Sequence, residues 1–391
     1  MGPLRDAGAA ALRPLVVLGA TGSIGRQALD VARRLGMEVR GLAAGRGSAG
    51  LLAQAARHPR ARVAVAAPSA GERLRCRAAL GRRVSFGPEA ITGLAARPGC
   101  IVLNGIVGAA GLPASLAALE AGNRLALANK ESLVAGGPLV IEALRRGGGE
   151  LIPVDSEHSA LAQCLAGEDP AAVRRILLSA SGGPFRGRRL LELARVTVPE
   201  ALAHPTWRMG RRISIDSATL MNKAFEVIEA HHLFGIPYDR IEVIVHPQSV
   251  VHSLVEFVDG SLKAQLGHPD MRLPIQYALT YPDRLESTRR RFDLAGRILT
   301  FQRPNLRSFP CLRLGYRAGR EGGSAPAVLN AADEVAVRAF LEGRIRFNAI
   351  PKVVERALAA VPPRPLKGLA DVLAADAEAR AAATAALGTG W

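Results

Sequence analysis

Six consecutive residues, Pro153 to His158, set two carboxylates, a hydroxyl and an imidazole at the end of an apolar run. If that run is a strand, alternation puts Asp155 and Glu157 on one side of its mouth, where they can share a hard divalent cation such as Mg²⁺ or Mn²⁺. The same residues also read as a helix start with Asp155 or Ser156 as N-cap. A second polar cluster runs from Asp216 to Glu226. From Ala218 onward it reads as helical, with Asn222 and Glu226 four apart on one face and Lys223 beside it. Ser217, Asn222 and Lys223 can surround a phosphate while Glu226 turns toward the metal; the plainer alternative is a capped helix with a solvated lysine and glutamate. A third group, Asn129-Lys130-Glu131-Ser132, follows an apolar strand. Lys130 is one of only five lysines, and an ammonium beside carboxylates can orient a carbonyl or hydroxyl. An ordinary lysine at a helix start remains the alternative.

Such groups need a scaffold, and the first half of the chain supplies its pattern. The apolar strand 15–18 runs into Gly19-Ala20-Thr21-Gly22-Ser23-Ile24-Gly25 and then a helical stretch, 26–35. In that context Gly19 allows the tight turn, Gly22 lets backbone approach a pyrophosphate and Gly25 permits close helix packing. The next strand, 38–43, ends in Gly45-Arg46-Gly47-Ser48 with no acid to bind a ribose diol. That favours NADP(H), with Arg46 pairing the 2′-phosphate and Ser48 as a further donor. Strands at 62–66, 82–86, 100–103, 124–128 and 150–154 alternate with helices at 70–80, 88–96, 113–121 and 136–146, the signature of a mostly parallel sheet covered by helices. The glycine-rich exit 104–111 suits passage close to a nicotinamide.

The second half is more irregular. A helix at 159–165 and a strand at 174–179 lead to Ser181-Gly182-Gly183, which reads equally as an anion nest or a plain turn. Residues 203–212 break helical periodicity and carry Trp207, one of two tryptophans. This segment reads as a lid, or else as a tryptophan packed statically between domains. His231 and His232 sit among apolar residues and are given no metal. Strands at 242–245, 250–257 and 261–266, the last two joined at Asp259-Gly260, form a sheet whose exposed part could pair two subunits. A helix at 272–279, a linker at 281–308 and helices at 327–341, 350–360 and 369–387 complete the chain, the tail bracing the working halves.

Bulk properties narrow the class. The 391 residues are 49% hydrophobic, enough for two or three domains. The net charge of +17 is almost wholly arginine, spread through amphipathic segments with no basic tract interleaved with aromatics. Nucleic-acid binding is therefore not expected. No apolar run is long enough for a membrane span, and residues 1–14 lack a signal-peptide core and read as a loose extension. Four separated cysteines without metal-ligand spacing point to reduced thiols and a cytoplasmic protein.

From about Leu15 to Leu387 the chain resembles the 1-deoxy-D-xylulose 5-phosphate reductoisomerase family. The likeness rests on the glycine turn at 19–25, Leu-Ala-Asn-Lys-Glu-Ser at 127–132, Val-Asp-Ser-Glu-His at 154–158 and Ser-Gly-Gly-Pro-Phe at 181–185. His-Pro-Thr-Trp with Met-Gly at 204–210 and Asp-Ser-Ala-Thr-Leu-Met-Asn-Lys at 216–223 follow in the family's order. The resemblance implies an α/β fold: an N-terminal Rossmann-like NADPH domain (15–154), a central α/β catalytic domain with a mixed sheet (155–280), a linker (281–312) and a C-terminal α-helical domain (313–391). It implies that Thr21, Gly22, Ser23 and Ile24 contact NADPH, that Gly45, Arg46 and Gly47 flank its 2′-phosphate, and that Asn129, Glu131 and Gly210 complete the cofactor contacts. Asp155, Glu157 and Glu226 would hold Mg²⁺, Mn²⁺ or Co²⁺. Lys130, Ser156 and Glu157 would meet the reacting end of a phosphorylated ketose, and Ser181, His204, Ser217, Asn222 and Lys223 its phosphate end. The implied reaction is a metal-held retroaldol–aldol rearrangement, followed by hydride reduction of a branched aldehyde to 2-C-methyl-D-erythritol 4-phosphate, in a homodimer. Three departures from the family pattern are Ala224 for Gly, His232 for Trp and Asp333 for Asn. Another NADP-dependent dehydrogenase, of sugar-phosphate or homoserine type, would explain the first half without the metal; a non-catalytic NADP-binding protein would bind NADPH without consuming it.

Overall fold

The computed structural model describes residues 12–287 and 291–388, so the expected N-terminal extension lies largely outside the described residues. Seven short strands form a parallel sheet: β1 (Leu15–Leu18), β2 (Val39–Ala44), β3 (Arg62–Val65), β4 (Val84–Phe86), β5 (Ile101–Asn104), β6 (Arg124–Leu127) and β7 (Glu150–Pro153). Their order is β4-β3-β2-β1-β5-β6-β7. The direction of winding reverses between β1 and β5, which opens a crevice at their C-terminal ends. Alternation along β1 sends Leu15 and Val17 into the core on one face and Val16 and Leu18 into the core on the other. A sheet buried on both faces explains why its strands read as unbroken apolar runs.

A second sheet is mixed: β8 (Val173–Ala180), β9 (Ile241–Val245), β10 (Val251–Phe257) and β11 (Leu262–Leu266), in the order β11-β10-β8-β9. β8 and β9 run parallel, and β10 runs antiparallel to both its neighbours. The long crossover between β8 and β9 carries two short helices, Leu190–Leu193 and Val198–Leu202, and then two longer ones, Arg211–Thr219 and Met221–Phe234. Leu220 separates the longer two with a left-handed φ of 61°. Helical structure therefore begins well before Ala218, the start that periodicity suggests. The break at Leu220 turns one polar run into two helix faces.

Four helices, Cys311–Glu321, Ala325–Leu341, Ile350–Ala360 and Leu369–Leu387, form the C-terminal layer. The first of them falls across the expected boundary at 312/313. A second correction concerns the helix Arg272–Thr280. Grouped by sequence with the second sheet, it instead buries Ile275, Ala278 and Leu279 in the core that holds Leu15 and Val17. Arg272 fastens it to the Ser23–Arg34 helix through Asp30, at 3.1 Å.

Each departure from the family pattern has a local setting. Ala224 is fully buried against Gly315, where a Cβ would stand 2.4 Å from the alanine methyl. His232 occupies space left open by Gly137, whose Cβ would lie 2.2 Å from the imidazole. Asp333 is fully buried, 3.6 Å from Arg212.

Candidate active site

β7 stops at Pro153, and the helix Ser156–Leu165 starts almost at once, with Asp155 as its N-cap. The Asp155 Oδ1 atom accepts from the backbone amides of Glu157 at 3.1 Å and His158 at 3.5 Å. Strand alternation is thus not what aligns the two carboxylates; the first turn of a helix does it. The helix-start reading and the carboxylate pair hold together. Oxygens of Asp155, Glu157 and Glu226 all lie within 4.8 Å of one another. Glu226 arrives from the Met221–Phe234 helix, which packs across the kinked helix Lys130–Gly147.

Two lysines bracket this trio. The Lys130 ammonium donates to Asp155 Oδ2 at 2.8 Å and to Glu226 Oε1 at 3.1 Å. Lys223 donates to Glu157 Oε1 at 3.1 Å and to Glu226 Oε2. It is turned inward onto the carboxylates rather than outward, as a purely phosphate-binding lysine would be. Asn222 Nδ2 also donates to Glu226, while its Oδ1 is buried without a partner. Ser156 donates to Glu157.

The electrostatics follow from burying so much charge together. Burial, and then the neighbouring Glu226, push the Glu157 carboxyl up to about 7. Burial opposes ionisation of Asp155 as well, but Lys130 and His158 outweigh it and hold that carboxyl well below the usual range. Burial likewise pulls Lys130 down, and Asp155 and Glu226 more than restore its charge. Oxygen donors alone, with more negative charge than two ammonium groups offset comfortably, suit a hard divalent cation. Behind them, His158 Nε2 donates to the Glu226 carbonyl at 2.9 Å, and Nδ1 lies 3.2 Å from Asp155 Oδ1 and 3.7 Å from Glu229 Oε2. A carbonyl only accepts, so Nε2 carries a proton. Burial lowers His158, yet Glu229 and Asp155 raise it to about 9, so both ring nitrogens donate at neutral pH.

The trio opens into a cavity of about 800 Å³ walled also by Ser23, Ser181, Trp207, Gly210 and Ser217. His204 stands in its wall with Nδ1 accepting from the amides of Thr206 at 3.1 Å and Trp207 at 2.9 Å. Its proton therefore sits on Nε2, aimed at Ser181 Oγ 2.9 Å away. Burial lowers its pKa, favouring the neutral ring. Ser181 Oγ in turn accepts from Gly183 N at 3.2 Å, which spends one of the two glycine amides within a local turn, the plainer of the two readings of this stretch.

At the other end of the crevice, Gly22 caps the Ser23–Arg34 helix with no side-chain bond, leaving first-turn amides available. Gly19, at φ +82°, lies so close to β5's exit that a Cβ would meet Gly105 O at 2.5 Å. A Cβ on Gly25 would meet Gly19 O at 2.3 Å. Around Gly45 and Gly210 there is open space instead. These backbone approaches fit a dinucleotide. Thr21, Gly22 and 45–47 line the remote end and not the cavity wall, whereas Ser23 and Ile24 belong to both. Arg46 is not free: Nε donates to Glu72 Oε2 at 2.8 Å, and the side chain is 65% exposed. Asn129 and Glu131 also spend their side chains internally, Asn129 Nδ2 on Gly108 O at 3.0 Å and Glu131 Oε1 on Gly108 N at 3.0 Å.

Sequence reasoning missed Glu72, Glu229 and Arg212. Glu229 had a signal, since it follows Glu226 by three on one helix face, as His158 follows Asp155. Arg212 had only its i,i+4 spacing to Asp216, because Glu131, Asn330 and Glu334 lie 81 to 122 residues away.

Comparison with known proteins bears on the whole chain. Models of 1-deoxy-D-xylulose 5-phosphate reductoisomerase match residues 15–137 and, for its C-terminal domain, 151–234; a DXP reductoisomerase C-terminal domain model matches 266–382. The chain is 53% identical over 379 residues to the 1-deoxy-D-xylulose 5-phosphate reductoisomerase of Xanthomonas oryzae pv. oryzae, covering 94% of this chain and 95% of that one. It is 51% identical over 376 residues to that of Ralstonia nicotianae, covering 94% and 96%. Among solved structures, the Zymomonas mobilis reductoisomerase in complex with NADPH superposes with a TM-score of 0.90 at 43% identity, covering 97% of this chain and all 100% of that one. A DOX-P reductoisomerase in complex with NADPH, fosmidomycin and magnesium gives 0.90 at 38% identity, with 97% and 100% covered. Motifs, fold and full-length similarity agree: the chain belongs to the 1-deoxy-D-xylulose 5-phosphate reductoisomerase family.

Proposed function

We infer that this protein converts 1-deoxy-D-xylulose 5-phosphate to 2-C-methyl-D-erythritol 4-phosphate, using NADPH and a divalent cation, Mg²⁺, Mn²⁺ or Co²⁺. The observation that carries this is the convergence of Asp155, Glu157 and Glu226 from two separate segments, bracketed by Lys130 and Lys223, in the cavity that Ser23 and Ile24 of the glycine turn also line. Relatives solved with NADPH and with magnesium support it.

When bound, the cation supplies charge that polarises the C2 carbonyl and steadies an oxyanion, and NADPH supplies the hydride. The carbon skeleton breaks between C3 and C4 and rejoins between C2 and C4 before reduction of the resulting aldehyde. Asp155, Glu157 and Glu226 offer the oxygen ligands. Lys130, fixed by Asp155 and Glu226, directs its remaining donor at the oxygens of the reacting end, with Ser156 alongside. Ser181, His204, Ser217 and Asn222 bind the phosphate end, joined by Lys223 once its carboxylate partners are engaged elsewhere. Holding that remote group contributes binding energy for closing 203–212, and Trp207 then shields the reaction from water. Thr21, Gly22, Ser23 and Ile24 cradle the dinucleotide, Gly45, Arg46 and Gly47 its 2′-phosphate, with Asn129, Glu131 and Gly210 toward the nicotinamide.

On this reading 15–154 carries the cofactor, 155–280 the metal and substrate, and 313–391 braces both across the linker 281–312. Among the described residues no helix is long and apolar enough to cross a membrane. We take the enzyme to be a cytoplasmic homodimer, on the strength of four free buried cysteines and the edge strand β11, whose Leu262 is 58% exposed. The test of function is NADPH oxidation by the purified protein with 1-deoxy-D-xylulose 5-phosphate, with and without Mn²⁺. Turnover only with metal is expected. No turnover with every component present overturns the reading.

A further inference from the structure

The Arg211–Thr219 helix begins two residues before Ile213 at the close of the lid segment, and its Arg212 side chain points away from the cavity into a buried junction. The guanidinium is only 17% exposed and meets partners from three parts of the chain. Nη1 lies 3.0 Å from Glu131 Oε1, behind Lys130, and 2.7 Å from Glu334 Oε1 on the Ala325–Leu341 helix. Nη2 donates to Asn330 at 2.8 Å on that same helix. Asp216 and Asp333 stand at 3.5 and 3.6 Å. Glu334 in turn is gripped from outside by Arg380 of the last helix, at 2.5 Å through its other oxygen. It also underlies the cofactor-side exit of β5, since a Cβ on Gly108 would stand 2.9 Å from Glu334 Oε1. Glu131 ties down the same turn through the Gly108 amide at 3.0 Å.

We propose that Glu334 is a positioning residue for the reaction: by holding Arg212 against Glu131 and the Gly108 turn, it sets the register between the lid segment 203–210 and the nicotinamide side of the cofactor crevice. This rests on the functional reading given above. The argument is geometric. A guanidinium held by Nη1 to both Glu131 and Glu334 and by Nη2 to Asn330 joins three segments through charge-assisted bonds and leaves the start of its helix little freedom. The same helix carries Ser217, so any looseness at Arg212 reaches both the lid's end and the phosphate end. A misplacement near 1 Å in such a site costs roughly 100-fold in rate. The C-terminal helices thus contribute to catalysis without touching substrate.

Glu334→Gln tests this, because Arg212 keeps the carboxylates of Glu131 and Asp216 and is not left as an unpaired buried charge. Four readouts are compared with the parent protein: NADPH affinity by fluorescence, steady-state kinetics with 1-deoxy-D-xylulose 5-phosphate and Mn²⁺, trypsin cutting after Arg208 and Arg211, and thermal unfolding. The expected result is NADPH affinity within about threefold, since the glycine turn is untouched, with kcat falling roughly 10- to 100-fold. Protection of 203–212 by NADPH, Mn²⁺ and fosmidomycin together, expected in the parent, should be lost. Arg380→Gln, at a more exposed position that leaves every Arg212 contact in being, should show the same pattern in milder form, and it decides the matter if Glu334→Gln does not fold. Unchanged kcat and intact protection in the variants overturn the proposal, and so does a parallel fall in thermal stability, NADPH affinity and kcat, which marks a merely structural role. Absence of turnover in the parent protein refutes the functional reading instead, and the protection assay still reports on the lid.

Discussion

Arg46 is joined through Nε to Glu72, 26 positions further on, and Glu72 also caps the Ala70–Leu80 helix through Ser69. That pairing orients the guanidinium at a strand exit that carries no acid of its own, where, on the proposed reading, a 2′-phosphate would gain a charge-assisted contact. Arg46→Glu should raise the KM for NADPH roughly 10- to 100-fold, the equivalent of a charged hydrogen bond of about 1.5–3 kcal/mol, and leave that for NADH much less affected. Equal efficiency of the parent protein with both dinucleotides would remove the basis for this. Asp333 presents a different residue-scale question. Burial and then the adjacent Asp216 hold its carboxyl well above the usual range, and burial pushes Asp216 up to about 6. Around them stand Arg212, Glu131, Glu334 and Arg380, and the cluster is short of positive charge. Carboxyls with folded pKa values above their unfolded ones contribute stability at low pH, and that contribution is lost as the pH rises from about 4 through 6 and beyond. Asp333→Asn, a donor that does not titrate, should therefore be more stable than the parent at pH 8, by roughly 1–3 kcal/mol, with the gap closing toward pH 4. Thermal unfolding at both pH values checks it; a variant less stable at pH 8 would mean that Asp333 is ionised and needed as a charge.

At the scale of elements, the Met221–Phe234 helix is the part on which packing and chemistry meet. One face carries Glu226 to the metal trio, and Ala224 on another face lies against Gly315 of the Cys311–Glu321 helix. Gly315→Ala would drive two methyls to 2.4 Å and should cost about 1–3 kcal/mol in denaturant unfolding, the price of overpacking a tight helix contact. Pairing it with Ala224→Gly should restore most of that loss. A Gly315→Ala protein as stable as the parent would show that these helices slide apart freely. The first sheet was legible because each strand–turn–helix unit is local and its apolar runs are buried on both faces. Asp155, Glu157, Glu226 and Lys130 were legible as chemistry-bearing residues, although the strand mouth proposed to align the first two is in fact a helix cap. What the sequence hid is long-range. The side on which Arg272–Thr280 packs depends on Asp30, far upstream, and the inward turn of Lys223 depends on Glu157 from another helix. The break at Leu220 was also unreadable, since a left-handed leucine has no propensity signature. Equally hidden were the bonds by which the C-terminal layer reaches Arg212, through Asn330 and Glu334.

Across the whole molecule, the candidate site exists only because three layers meet. The first sheet ends in Asp155 and Glu157, the β8–β9 crossover brings Glu226, and the kinked Lys130–Gly147 helix supplies the ammonium between them. The dinucleotide turn lies at the far end of the same crevice, so cofactor binding and metal binding should separate under mutation. Glu226→Gln keeps the side chain's size and one carbonyl oxygen but removes a charge from a trio that already surrounds two lysines. Metal affinity should fall about 10- to 100-fold, as for loss of one charged partner in a metal shell. Turnover should drop on the order of 100-fold and recover in part with excess Mn²⁺, because occupancy of the trio and activation of the ketose oxygens are coupled. NADPH should bind within about threefold of the parent, since Gly19, Gly22 and Arg46 stand on other elements. The substitution also leaves Lys130 its bond to Asp155 and Lys223 its bond to Glu157, so the fold should survive. A Mn²⁺ titration of NADPH oxidation, run beside direct NADPH binding on both proteins, separates these effects. If metal dependence and maximal turnover are both unchanged, Glu226 is not a ligand, and the pair at 155 and 157 takes its third partner elsewhere; among the described residues, Asp155 also lies with His158 and Glu229 in a cluster whose donor atoms are within 4.8 Å of one another.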